Sequence, residues 1–126
     1  MKSVRIVLVT MVVVMMFCGI CYAEEQWEYI YETDKSIEYI DINSIKILQV
    51  GSNEIIKAIT KTQSKDSDFY VISYFKVKKD TKGYDLYFIE MYEDGKLTNQ
   101  LTLDATGYKT YEPDNKIVNE ILKRAN

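Results

Sequence analysis

The sequence predicts an α+β fold, an antiparallel β-sheet of about five or six strands with one C-terminal α-helix. Three observations carry that expectation. Branched and aromatic residues alternate with polar ones through most of residues 26–104, the period of half-buried strands. Short turn-forming groups, among them Gly51-Ser52-Asn53, Asp80-Thr81-Lys82-Gly83 and Asp94-Gly95, divide that stretch. After Pro113 the apolar residues change to a helical spacing.

Residues 26–33 set Trp27, Tyr29 and Tyr31 on one face against Glu28, Ile30 and Glu32 on the other, a first strand. Asp34-Lys35 turns it into residues 37–42, so the first two segments form a hairpin that Asn43-Ser44 breaks. Residues 45–50 read equally as continued strand or loop, and residues 54–62 are a strand by their branched side chains. Residues 68–79 form the clearest strand, with Phe69, Val71, Phe75 and Val77 on one side and Tyr70, Ile72, Tyr74, Lys76 and Lys78 on the other. Residues 84–93 run back with Leu86 and Phe88 opposed to Tyr87, Ile89 and Met91, and residues 96–104 return after the Asp94-Gly95 turn. In the tail, Ile117, Val118, Ile121 and Leu122 form one stripe, Asp114 is placed to cap the helix, and Lys123-Arg124 suit its negative end.

Ahead of this domain stands a leader. Lys2 and Arg5 precede an apolar stretch over residues 6–17, and Cys21 and Ala23 put small residues at the −3 and −1 positions before Glu24, the order of a cleavable signal peptide over residues 1–23. The rival reading is an uncleaved anchor, since the apolar run approaches the ~18 residues that span a bilayer. Cys18 follows Phe17 and Cys21 follows Ile20, not the small residue that a lipid-attachment site needs. With both cysteines in the leader, residues 24–126 are expected to form a single domain held by packing alone, in the periplasm, cell envelope or extracellular space. Of the 16 basic residues two lie in the leader, whereas all 19 acidic residues follow it. That acidic balance opposes nonspecific binding to nucleic acid or to an anionic membrane surface.

Catalytic signals are weak. The chain has no His, and its cysteines lie in the leader, so an imidazole-activated nucleophile has no components, and no Gly-x-Ser-x-Gly turn occurs. Asp66-Ser67-Asp68 and Asp41-Ile42-Asn43 space oxygen ligands two apart, but neither continues with the glycine and distal glutamate of a calcium loop. No cofactor is indicated, and the chain is read as a non-enzyme.

The informative feature is aromatic: ten of the eleven tyrosines follow the leader. By alternation Tyr70, Ile72, Tyr74, Tyr87, Ile89 and Met91 share one face of the 68–93 hairpin, away from Phe75 and Leu86. One reading makes them the margin of a core covered by other strands or loops. The other makes them a partner surface, because tyrosine brings large area, little entropy cost and a polar tip. If that face is open, self-association into a homodimer is the cheapest way to bury it. Trp27, as the single tryptophan in an alternating strand, is expected to anchor the core.

The order of landmarks resembles the surface-adhesin protein E family of small bacterial envelope proteins. The matching residues are Trp27 and Tyr29 after a leader, Tyr39-Ile40-Asp41 followed by Ser44-Ile45, the turn Tyr92-Glu93-Asp94-Gly95-Lys96, and Tyr111-Glu112-Pro113 before the last helix. The chain departs from that family's pattern in lacking a cysteine pair in the domain and a lipid-attachment site. The resemblance implies an antiparallel sheet with a C-terminal helix and a surface that binds host extracellular-matrix proteins. Together these readings give three expectations: an exported binding protein recognising a host or envelope protein, a structural homodimer without external ligand, or, least favoured, a small carboxylate-based enzyme.

Overall fold

The computed structural model describes residues 24–103 and 108–125, so the leader expected over 1–23 lies outside the described residues. The fold is the expected α+β arrangement, one six-stranded antiparallel sheet and a single C-terminal helix. The strands are β1 (Trp27–Glu32), β2 (Ser36–Val50), β3 (Asn53–Ser64), β4 (Tyr70–Lys78), β5 (Tyr84–Glu93) and β6 (Lys96–Thr102), and the helix is α1 (Lys116–Arg124). Each strand pairs with its neighbours in sequence, in the order β1-β2-β3-β4-β5-β6. Among the described residues no helix is long and apolar enough to cross a membrane.

Turn chemistry sets this meander. Asp94 and Gly95 both take positive φ, 52° and 77°, which matches the twist of the flanking β5 and β6. Gly51 takes a φ of 63° at the first position of the two-residue turn between Val50 and Asn53. Residues 45–50, readable as strand or loop, continue β2, but only after residues 42–45 bulge out of the ladder between Asp41 and Lys46. Ser44 bridges that gap: its Oγ donates to the Asp41 carbonyl at 2.6 Å and accepts the Ile59 N–H at 2.8 Å.

One face of the sheet holds the core. Ile40, Ile56, Ala58, Phe75 and Val77 pack under Val118 and Ile121 of α1, and all seven are buried. The helix is seeded by Asn115, whose side chain accepts the Val118 N–H at 3.1 Å, one residue later than the Asp114 cap expected from sequence. Its C-terminal end is tied to the sheet by Arg124, which donates to Glu28 of β1 through Nε and Nη2 at 3.0 and 2.7 Å and also pairs with Glu120. Between β6 and α1 the chain returns to β5, where Tyr84 and Lys109 exchange backbone hydrogen bonds.

Two core expectations change. The Ile30 bulge in β1 moves Tyr31 opposite Glu38, on the helix side, so Tyr31 does not share a face with Trp27 and Tyr29. Trp27 is only half-buried and pairs with Asp41 on the face away from α1, outside the core cluster.

Ile121→Ala should destabilise the fold by about 2 to 5 kcal/mol in urea unfolding, and Asn115→Ala by about 1 kcal/mol. Glu38 gives a pH-dependent test. It is buried on the helix side, where desolvation pushes its carboxyl above the usual carboxylate range although Thr62 donates to it at 2.7 Å. An acid that binds its proton more tightly in the fold contributes full stability below its unfolded pKa and loses it as pH rises through the folded value. Glu38→Gln should therefore melt above the parent protein at pH 7, and the difference should vanish as pH falls through the ordinary carboxyl range.

Candidate binding face on the open side of the sheet

Strand register carries side chains on the face opposite α1 into three rows that cross all six strands. The first runs Trp27, Asp41, Ile59, Tyr74, Phe88, Thr102; the second Tyr29, Tyr39, Lys61, Ile72, Glu90, Gln100; the third Glu32, Ile37, Gln63, Tyr70, Tyr92, Leu97. No described helix or strand lies over them.

Along these rows and beside them, aromatic rings and lysines interleave. The Tyr70 and Tyr92 rings stack at 4.8 Å and 8°. The Lys61 amine sits 5.6 Å from the Trp27 ring centre and 4.5 Å from that of Tyr70, a cation held between two π-faces. Lys57 and Lys76 approach the Tyr87 ring at 5.9 and 4.6 Å. Glu90 is the acceptor between two phenols, taking Tyr74 Oη at 2.7 Å and Tyr92 Oη at 3.4 Å. Burial, then the Glu90 hydrogen bond and charge, push the Tyr74 phenol far above its ordinary range. Burial also raises Tyr87, aided by Asp85, and Tyr92, aided by Glu90, so these phenols act as protonated donors and apolar plates.

The face is concave beside the β2 bulge. A depression of about 370 Å³ lies among Asn43, Ser44, Lys46, Lys57 and Tyr87, and a second of about 130 Å³ among Trp27, Lys61, Tyr70, Glu90 and Tyr92. Both share Glu25, Asp41, Ile59 and Tyr74, which makes them one groove. A further hollow of about 390 Å³ sits at the loop end among Gln63, Asp68, Asp94 and Gly95, and touches the groove only at Tyr70. Its lining joins strand ends to loop and turn residues, with less of the aromatic chemistry that marks the groove. Asp41 is 5 % exposed and its Oδ1 accepts the N–H groups of Gln26 and Asn43 at 2.9 and 3.0 Å, so this carboxylate fixes the start of β1 against the bulge. Among the described residues no three His, Cys, Asp or Glu side chains converge to hold a metal.

Of the six residues singled out by alternation, the fold brings Tyr70, Ile72, Tyr74 and Tyr87 together on this face. Ile89 and Met91 stand on the other face, opposite Ser73 and Val71. The cause is a bulge in β5 facing the Tyr74/Phe75 step: Tyr87 and Phe88 both reach the Tyr74 ring, at 6.1 and 5.2 Å, and every later residue of β5 changes sides. The same slip brings in Phe88, Glu90 and Tyr92, which alternation had not placed there. Lys57, Ile59 and Lys61, alternating along β3, were the legible signal for the middle of the face.

Compared with protein-family models, curated proteins and solved structures, the chain has no significant match.

Because Trp27 belongs to this face, Trp27→Ala should cost about 1 kcal/mol in chemical unfolding, well under the ~3 to 5 kcal/mol of a core tryptophan. A loss in the core range would place Trp27 among the residues that hold the fold.

Proposed function

We propose that the protein is an exported, non-enzymatic binding protein of a bacterial envelope or exterior, and that it recognises a protein partner through the open face of its sheet. The observation that carries this reading is the bank of rings from Trp27 through Tyr70, Tyr74 and Tyr87 to Tyr92, set in a groove with no described element over it. Tyrosine, tryptophan and an interleaved cation are the side chains that dominate protein interfaces. They are already fixed here, by ring stacking, by Lys61 and by Glu90, so docking costs little side-chain entropy. Protonated phenols and engaged carboxylates suit recognition better than proton transfer. The resemblance to the surface-adhesin protein E family and the leader-like residues 1–23 support the same reading, with an extracellular-matrix protein as the partner class.

The experiment is binding of the purified protein to a panel of immobilised extracellular-matrix proteins, beside the triple variant Tyr70→Ser, Tyr74→Ser, Tyr87→Ser. Expected are saturable binding by the parent, a loss of at least about tenfold in the variant and an unchanged circular dichroism spectrum. Binding that survives the triple change, or a variant that unfolds, would move the contact surface elsewhere or return these tyrosines to the core. Mass spectrometry of protein recovered from envelope and medium should find a chain beginning at Glu24.

A further inference from the structure

The two edges of the sheet are treated differently. β1 is guarded: it has a bulge at Ile30, and its Glu28 and Glu32 pair with Arg124 and Lys65. β6 is not. Every residue of its Lys-Leu-Thr-Asn-Gln-Leu-Thr sequence is exposed, it has no proline or acidic side chain, and its one charge, Lys96, stands at the first position. Its bulge lies near the start, between the Met91 and Tyr92 pairings, and leaves residues 99–102 in regular register with β5.

The direction of the free backbone groups follows from one bond. The Leu103 N–H donates inward to the Tyr87 carbonyl at 3.0 Å, so by alternation Leu101 and Asn99 also face β5, and the N–H and C=O groups of Gln100 and Thr102 point to the open edge. The only described partner on that edge is local: the Gln100 N–H is held by the Asn99 side-chain oxygen at 2.9 Å. A neighbouring strand replaces that bond when the exposed Asn99 side chain turns away.

We propose that β6 pairs antiparallel with β6 of a second copy, about a two-fold axis through Leu101. Gln100 then exchanges two backbone hydrogen bonds with the partner's Thr102, and Thr102 with the partner's Gln100. Leu101, 47 % exposed, meets the partner's Leu101 at the close spacing of a non-hydrogen-bonded pair. A second copy is the occupant that the strand's chemistry favours. The paired segment carries no charge to repel its own image, and the guarded β1 edge blocks the head-to-tail alternative that would grow into filaments. An antiparallel pair places the axis perpendicular to the sheet, so both open faces lie on the same side. The dimer stands on the edge geometry alone; that it presents two binding faces together rests on the function proposed above.

Light scattering of the purified protein over a concentration series should give twice the chain mass. Gln100→Pro removes an edge N–H that β5 does not use, so the variant should keep its thermal melt and scatter as a monomer. In a full-length chain with Cys18→Ser and Cys21→Ser, Leu101→Cys should form a disulfide-linked dimer on mild oxidation, which decides the matter even if the proline variant fails to fold. A monomeric parent, a dimer that persists in folded Gln100→Pro, or a Leu101→Cys chain that does not cross-link would overturn the proposal. The tyrosine-to-serine triple variant should remain dimeric, which separates failure of this edge from failure of the binding face.

Discussion

A single layer of six strands exposes both faces to water, and the nine residues of α1 are too few to stay helical alone. Each supplies what the other lacks. Val118 and Ile121 close over Ile40, Ile56 and Val77, and that contact is the one dry core among the described residues, which contain neither cysteine nor histidine. The Asn115 cap and the Arg124 bond to Glu28 hold the helix in register over β2, β3 and β4. Everything else in the molecule depends on this docking, because it makes one face the inside and leaves the other face to be built for contact with water.

The open face meets that demand with side chains that are apolar in body and polar at the tip. Lysines 57, 61 and 76 lay their amines over tyrosine or tryptophan rings, and Glu90 ties two phenols together. The result is a surface of large rings whose rotamers are fixed from several directions without being buried under another layer. Lys57, Lys61 and Lys76 stand on this face among Asp41, Asp85 and Glu90, so its charge is mixed in sign and the rings are its dominant chemistry.

The strands, their order and the final helix were legible because period and turn chemistry are local properties, and the Asp94-Gly95 turn and the tail stripe are strong examples. The candidate face was half legible. Tyr70, Ile72 and Tyr74 fall where alternation puts them, because β4 pairs with β3 without interruption. Ile89 and Met91 do not, because one extra residue at Tyr87 reverses the rest of β5, and a bulge leaves no mark in a hydrophobic period until the partner strand is known. Tyr31 misleads for the same reason at Ile30. Trp27 misleads differently: its size suggests a core, but its register opposite Asp41 sets it on the face away from α1, where a lysine covers it instead.

The meander has a consequence for the order in which the molecule can assemble. All strand pairings join sequence neighbours, so each hairpin can close soon after its second strand is made, and the search for partners is short. The apolar side of the sheet, however, is capped by the last helix, and Ile40 and Ile56 must wait for residues some 60 or more positions later. During synthesis the growing sheet therefore holds an uncovered greasy surface until residues 116–124 have been added. Loss of residues 116–124 would leave that surface bare and the product prone to aggregation.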